Sequence, residues 1–238
     1  MTALTLLHIV TGVLCAAVAV ARLPRWREPT TRATTIALVA FAGLMVTTLT
    51  KNSDWERNAP GVTWMDIVSY IFAITASVAM VYLAARALSY TKILWLTHTA
   101  AIVCGGFIGA YICASIHYEG HAQGRFLLVI TACITGFAGL FLFAATLPAI
   151  AEREVPRSGR LTLLVLAASS LLWAIGAARR IADNIPVTGP LVTLAHHLPW
   201  EASTASALLF AVAGILSLYL HWQDEAPLKP DLLTPANS

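Results

Sequence analysis

The chain alternates between long apolar segments and short polar ones. Once every Asp, Glu, Lys and Arg is marked, seven uncharged stretches remain that are long enough to cross a membrane as helices. About 20 helical residues, each rising about 1.5 Å, span a hydrocarbon core roughly 30 Å thick. Inside lipid each stretch must be helical, because its backbone amides have no water to bond. The predicted spans are residues 3–21, 33–50, 67–85, 93–115, 126–151, 161–178 and 202–220.

Composition agrees with this pattern. Of the 238 residues, 58% are hydrophobic and 11% are charged, and the mean hydropathy is +0.74. A soluble domain has about 25% charged residues. These values exclude a soluble globule and a nucleic-acid-binding module. We therefore expect an all-α polytopic membrane protein, with a seven-transmembrane-helix bundle over residues 1–223 and a Pro-rich disordered cytoplasmic tail over residues 224–238.

The basic residues predict the orientation of this bundle. The segments after the first, third, fifth and seventh spans contain ten of the 15 Lys and Arg residues, and the intervening segments contain five. Basic residues accumulate on the cytoplasmic side of membrane proteins. The N-terminus is therefore expected outside and the C-terminus in the cytoplasm. The abundance of Arg and Ala is typical of a GC-rich bacterial genome, so we expect a multi-pass protein of a bacterial plasma membrane.

Histidines near the predicted spans are candidate haem ligands. Two lie towards the outer surface and two towards the inner one, and axial imidazoles from different helices can hold a haem at each depth. The alternative is that hydroxyls such as those of Thr97 or Thr99, or interfacial water, satisfy these imidazoles. We prefer this alternative and expect no cofactor. The four candidates are His8, His98, His117 and His221.

A second group of histidines lies in the predicted outer loops. An i,i+4 histidine pair can bind zinc or copper, and a ligand from another loop would complete the site. Solvated loop residues are the alternative interpretation, which we prefer. The candidate metal ligands are His117, His121, His196, His197 and Glu201.

Arg179, Arg180 and Asp183 lie at the predicted outer end of the sixth span. The spacing from Arg179 to Asp183 allows an i,i+4 ion pair. One interpretation of this group is a site for an anion or a lipid headgroup. The other, which we favour, is that the arginines extend their charged ends to the membrane interface.

The centres of the spans contain no acidic or basic residue, which weighs against a carboxylate-based pump and excludes a retinal Schiff base. No catalytic motif is recognisable. We therefore expect a non-enzymatic protein with an accessory, sensory or partner-binding role, in contact with membrane lipids and with another membrane protein or a second copy. A haem or metal redox protein is one alternative. A small-solute transporter or channel is the other, with a path lined by the hydroxyls of Thr47, Thr48, Ser69, Thr75, Ser77, Ser169 and Ser170.

The N-terminal part of the chain resembles a group of actinobacterial seven-helix membrane proteins. The likeness rests on the register of residues 1–90. The first span closes on the turn Ala-Arg-Leu-Pro-Arg-Trp-Arg-Glu-Pro at residues 21–29, and Arg32 opens the second span. The third span starts near Asp66 and ends at Arg86. Members of this group are labelled as transporters or as proteins of unknown function, so the resemblance implies a fold but no substrate and no site residue.

Overall fold

The computed structural model describes residues 2–51, 64–87, 121–151, 156–184, 189–199 and 201–225. All regular structure in these ranges is helical, and the short 3-10 turn Leu23–Arg25 follows the first α-helix. The α-helices are α1 (Ala3–Arg22), α2 (Pro29–Lys51), α3 (Trp64–Ala87), α4 (His121–Ala151), α5 (Arg157–Asn184), α6 (Pro190–His196) and α7 (Ala202–Glu225).

Six of these helices, all except the seven-residue α6, are long and apolar enough to cross a membrane. They confirm the first, second, third, fifth, sixth and seventh predicted spans as helices. The fourth predicted span, residues 93–115, and most of the predicted tail, residues 226–238, lie outside the described residues. The protein is therefore a multi-pass helical membrane protein.

The helices extend beyond the apolar segments that predicted them. The second span was expected to begin after Arg32, but α2 begins at Pro29. Arg32 is exposed, its Nε donates to the carbonyl of Trp26 at 3.3 Å, and its guanidinium lies 5.9 Å from the centre of the Trp26 ring. A charged side chain of this kind reaches the interface while its backbone stays helical.

The six long helices pack as a ring. Following the contacts around it, α1 packs on α2, α2 on α3, α3 on α4, α4 on α5, α5 on α7, and α7 returns to α1. Glycines allow close approach at several of these contacts, as small residues do in membrane bundles. A Cβ on Gly139 of α4 would lie 2.6 Å from the Ser170 carbonyl oxygen of α5, and one on Gly176 of α5 would meet the Ser203 side chain of α7.

An aromatic cluster fills the middle of the ring. Phe41 of α2 meets the edge of Trp173 of α5, with ring centres 5.1 Å apart, and also packs on Phe210 of α7 at 5.3 Å. All three side chains are fully buried. The outside of the ring is apolar too, with Val13, Val20 and Phe137 among its exposed side chains. Apolar residues on both faces are what a lipid environment requires.

The lining of two cavities defines the two ends of the bundle. One cavity is lined by residues near the starts of α1, α3, α4 and α7 and near the ends of α2 and α5, and we call this the His8 end. The other is lined by residues at the end of α1, the starts of α2 and α5, and the end of α7, and we call this the Arg22 end. Helices α3 and α4 therefore run in the same direction.

Candidate functional site

A cavity of about 450 Å³ lies at the His8 end. Every long helix contributes to its wall because all six reach this end of the ring. Leu44, Met45 and Leu128 supply apolar surface, and hydroxyl side chains and one arginine supply polar groups. A mainly apolar concave site with a few convergent polar groups is the usual form of a small-molecule site.

Arg180, in the last turns of α5, is the cation of this cavity. Its side chain is partly buried, its Nη2 donates to Ser203 Oγ at 3.0 Å, and its guanidinium lies 5.9 Å from the centre of the Trp173 ring. Among the described residues Arg180 has no carboxylate partner within 4 Å. The guanidinium has five N–H donors, so it retains donors for a ligand after bonding to Ser203.

Glu201 also lines the cavity, and its side chain is exposed. A carboxylate in contact with solvent is screened far more effectively than a partly buried charge. Among the described lining residues, Arg180 is therefore the less screened charge and Glu201 the more screened one.

Thr131 of α4 is a second polar group of the cavity wall. It is 4% exposed, and its Oγ1 has no hydrogen-bond partner among the residues that the structure describes. A buried hydroxyl without a partner costs about 1–3 kcal/mol. Thr135, one turn further along the same helix, is also buried, but its hydroxyl donates to the Ala132 carbonyl at 2.9 Å. The unsatisfied hydroxyl of Thr131 is thus a feature of the cavity and not of α4.

His8 of α1 completes the polar wall. Its Nδ1 lies 2.8 Å from the Leu4 carbonyl oxygen and its Nε2 lies 3.1 Å from Thr204 Oγ1. The carbonyl can only accept, so a neutral imidazole donates through Nδ1–H, and Nε2 accepts from the Thr204 hydroxyl. These two bonds fix the ring orientation beside the cavity.

Arg180 connects the cavity to the aromatic cluster of the bundle. Arg180 stands over Trp173, whose ring packs against Phe41 and so belongs to the cluster at the centre of the bundle. Trp173 is 1% exposed, and its Nε1 has no hydrogen-bond partner among the described side chains and backbone. One side chain, that of Arg180, therefore contacts both the cavity and the buried core.

Seven hydroxyl residues were expected to line a path through the bundle, and most of their hydroxyls bond to backbone carbonyls. Thr48 and Ser69 line the cavity at the His8 end. The Thr48 hydroxyl also bonds to a backbone carbonyl, that of Leu44 at 2.8 Å. The hydroxyls of the other five bond to backbone carbonyl oxygens as well, and in addition Ser169 of α5 lies close to the Ser206 hydroxyl of α7. The five bonded in this way are Thr47, Thr75, Ser77, Ser169 and Ser170.

The structure describes one of the four imidazoles proposed as haem ligands. Both ring nitrogens of His8 have the partners given above, Leu4 and Thr204. His98, His117 and the side chain of His221 lie outside the described part of the chain. The haem hypothesis remains a prediction.

The proposed metal ligands are described only in part. His117 and the side chain of His121 fall outside the described residues. His196 bonds to Asp183, with Nδ1 2.8 Å from Oδ1, and the other oxygen of Asp183 accepts from Arg179 at 3.0 Å. The predicted Arg179–Asp183 ion pair is therefore confirmed. Within the described ranges no group of three or more His, Cys, Asp or Glu side chains could hold a metal ion, and the metal site remains a prediction.

Sequence reasoning identified Arg180 as a possible anion ligand but missed its partners in the cavity. Ser203 and Thr204 begin α7, and Thr131 lies in an apolar stretch of α4. The order of the spans could have grouped some of these residues. Successive spans alternate in direction, which places the starts of α1 and α7 and the end of α5 on one side of the membrane. Arg180, Ser203 and His8 could have been grouped on that basis.

Comparisons with protein-family models, with curated proteins and with solved structures find no match for this chain. The class of the protein is therefore defined by its own fold and site. It is an integral membrane protein whose helical ring contains a polar cavity at one end.

Proposed function

We propose that this protein is a ligand-binding membrane protein with a sensory or accessory role, and that its ligand is a small organic anion held in the cavity at the His8 end. Arg180 carries the proposal. Its guanidinium is partly buried beside a cavity of about 450 Å³ and pairs with no carboxylate among the described residues. A carboxylate on the ligand would supply the missing partner, and arginine binds carboxylates through two parallel hydrogen bonds.

The rest of the cavity wall favours an organic anion over a bare inorganic one. Leu44, Met45 and Leu128 offer apolar surface to the body of a ligand. Thr131 offers a hydroxyl that no described residue satisfies, and it can donate to an anionic oxygen or accept from a ligand hydroxyl. An apolar body with one acidic group matches both features.

Binding is favoured over transport by the packing beneath the cavity. A transporter of the usual kind has broken helices or polar groups near the midplane of the membrane. In this protein the fully buried rings of Phe41, Trp173 and Phe210 occupy the middle of the bundle. Most of the hydroxyls expected to line a path bond to backbone carbonyls instead. A bound anion would therefore act by changing the packing of the several helices that it contacts, as in a sensory or accessory subunit.

Our proposal includes seven spans and an outside N-terminus. The parallel direction of α3 and α4 supports an odd number of crossings between them, which the fourth predicted span would supply. The arginines of the described helices support the orientation. The Arg22 end includes Arg22, Arg25, Arg27, Arg32, Arg86, Arg157 and Arg160, and the His8 end includes Arg125, Arg179 and Arg180. The cavity at the His8 end would then open outside the cell, in the plasma membrane of a bacterium.

Purification of the full-length protein in mild detergent from its own cells tests the proposal. We expect a colourless protein from which mass spectrometry of an organic extract recovers a small acid in a stoichiometric amount. Absorption in the Soret region, or stoichiometric metal by elemental analysis, would instead support the haem or metal alternative. A companion protein present with the acid would indicate an accessory subunit.

A matched pair of probes tests the ligand class. Benzoate and benzamide have the same ring, but only benzoate carries the charge that Arg180 would bind. Ligand binding to the folded state raises the melting temperature. We expect benzoate to raise it in a saturable manner and benzamide to do so much less. Equal effects of the two compounds, or no effect of either, would contradict the proposal.

A further inference from the structure

A second cavity, of about 440 Å³, lies at the Arg22 end. Its wall includes Arg22 and Arg25, Thr30 in the first turn of α2, Gly159 in the first turn of α5, and Ser217 near the end of α7. This cavity is separate from the one that contains Arg180, because the two lie at opposite ends of the same helices.

Arg22 is buried at this site with unused hydrogen-bonding capacity. The residue is 5% exposed, and its Nη1 donates to the Gly214 carbonyl of α7 at 3.2 Å. Its Nε has no hydrogen-bond partner among the described residues. A guanidinium that is withdrawn from water and only partly bonded retains a strong demand for an anionic acceptor.

Two helix N-termini add to this positive potential. The first helical backbone bonds of α2 and α5 are donated by the amides of Arg32 and Arg160, so the amides of Thr30, Thr31 and Gly159 precede them. Such amides carry the positive end of the helix dipole and bind phosphate groups in many proteins. Here the two N-termini and the two arginines line one cavity.

Glu28 is the acidic residue among the described residues of this wall, and its charge interacts with that of Arg22. Its side chain is exposed, and its Oε2 accepts from Thr31 Oγ1 at 2.9 Å at the start of α2. One screened carboxylate therefore faces two arginines and two helix N-termini. Among the described residues that line this cavity, two are arginines and one is acidic.

We propose that the cavity at the Arg22 end binds a phosphoryl group. The combination of arginines, hydroxyls and amides at helix N-termini suits the several acceptor oxygens of a phosphoryl group. Two sources have this chemistry: the headgroup of an anionic phospholipid and a free phosphate. Pockets between membrane helices that contain basic residues bind phospholipid headgroups from the adjoining leaflet. The site is independent of the anion cavity proposed above.

Two arms of one experiment distinguish the sources. The full-length protein is melted in detergent with increasing inorganic phosphate, with chloride at matched ionic strength as the reference. In the second arm it is melted in nanodiscs of phosphatidylcholine with or without phosphatidylglycerol. A saturable rise in melting temperature in the first arm indicates a free phosphate, and a rise confined to the second indicates a lipid headgroup.

Variants at Arg25 and Arg27 locate the site. Arg25 lines the cavity and is half-buried, whereas Arg27 is exposed two residues away and does not line it. Loss of one charge-assisted hydrogen bond weakens binding by about tenfold or more. We therefore expect Arg25→Gln to raise the ligand concentration that gives the half-maximal rise in melting temperature by about tenfold. Arg27→Gln should leave this concentration nearly unchanged. Arg22→Lys, which keeps a charge but loses the fork of donors, should also raise it.

Three results would overturn the proposal. The first is a wild-type protein that responds in neither arm. The second is an equal loss in Arg25→Gln and Arg27→Gln, which would indicate general surface electrostatics. The third is a full response in both Arg25→Gln and Arg22→Lys. The wild-type titration alone can refute the proposal, so the test does not depend on the folding of any variant.

Discussion

Nε2 of His8 lies 3.1 Å from Oγ1 of Thr204, and this hydrogen bond joins α1, the first described helix, to α7, the last. It closes the ring beside the cavity at the His8 end, since both residues belong to the cavity wall. His8 is 7% exposed, so its Nε2 has little access to water once the partner hydroxyl is removed. The bond therefore couples the stability of the bundle to the shape of the site.

Removal of this bond should destabilise the protein. Thr204→Val leaves Nε2 of His8 buried without a donor, and we expect a loss of about 1 kcal/mol in the free energy of unfolding. Thr75→Val is the matched control, because the Thr75 hydroxyl is exposed and bonds within its own helix to Ile71. Thermal melts of both variants, together with a double-mutant cycle that includes His8→Leu, measure the coupling. Strict additivity in that cycle would rule out the bond as a stabilising contact.

Thr131→Val should have the opposite effect on stability. The variant removes a buried hydroxyl that has no partner among the described residues, so we expect the unliganded protein to gain about 1 kcal/mol. The same variant should bind benzoate more weakly, because the cavity loses a polar group. Thr135→Val, whose hydroxyl bonds to the Ala132 carbonyl, serves as the control and should gain nothing. A loss of stability in Thr131→Val would show that the hydroxyl is satisfied in the protein.

Gly139 and Gly136 should differ sharply in their tolerance of alanine. An added Cβ at Gly139 would lie 2.6 Å from the Ser170 carbonyl oxygen and 3.0 Å from the Ala174 amide nitrogen, both of them backbone atoms. At Gly136 the nearest atom would be the Ala177 Cβ at 3.3 Å. Overpacking of this kind costs about 1–3 kcal/mol. We expect Gly139→Ala to lower the melting temperature clearly and Gly136→Ala to lower it less, and equal melting temperatures would contradict this close approach of α4 and α5.

The helices could be predicted from the sequence because a membrane leaves few alternatives. An uncharged stretch of about 20 residues must be helical in lipid, and all six described spans follow that rule. Their ends were harder to place. Arg32 was treated as a boundary, yet it lies inside α2 with its side chain against Trp26. The short helix α6 was missed because Leu191 and Leu194 are exposed and a seven-residue helix gives no span signal.

The sequence could place residues at one end of the bundle, but it could not predict which of them line the cavity, because that depends on how each helix is rotated against its neighbours. Thr131 and Thr135 have the same side chain and lie in similar apolar sequence, but Thr135 bonds to its own helix and Thr131 lines the cavity. Arg179 and Arg180 are adjacent, yet the first pairs with Asp183 and the second faces the cavity. Hydropathy does not distinguish the two members of either pair. Their different environments arise from the packing of α3 and α7 beside them.

The proposed orientation predicts a specific labelling pattern. Ser53→Cys, between the second and third spans, should react with a membrane-impermeant maleimide on intact cells. Arg27→Cys, between α1 and α2, should react only after the cells are permeabilised. The native protein, which contains Cys15, Cys104, Cys113 and Cys133, gives the background labelling that is subtracted in both conditions. The reverse pattern would invert the topology and place the Arg180 cavity on the cytoplasmic side.

The most direct test of the anion cavity compares two neighbouring arginines of the same helix. Calorimetric titration with benzoate is carried out on the wild type, Arg180→Gln and Arg179→Gln. Arg180 lines the cavity, whereas Arg179 pairs with Asp183. Loss of the Arg180 charge should weaken binding by about tenfold to a hundredfold, because a hydrogen bond to a charged group contributes about 1.5–3 kcal/mol. We expect Arg179→Gln to bind nearly as the wild type does, and unchanged binding in Arg180→Gln would contradict our account.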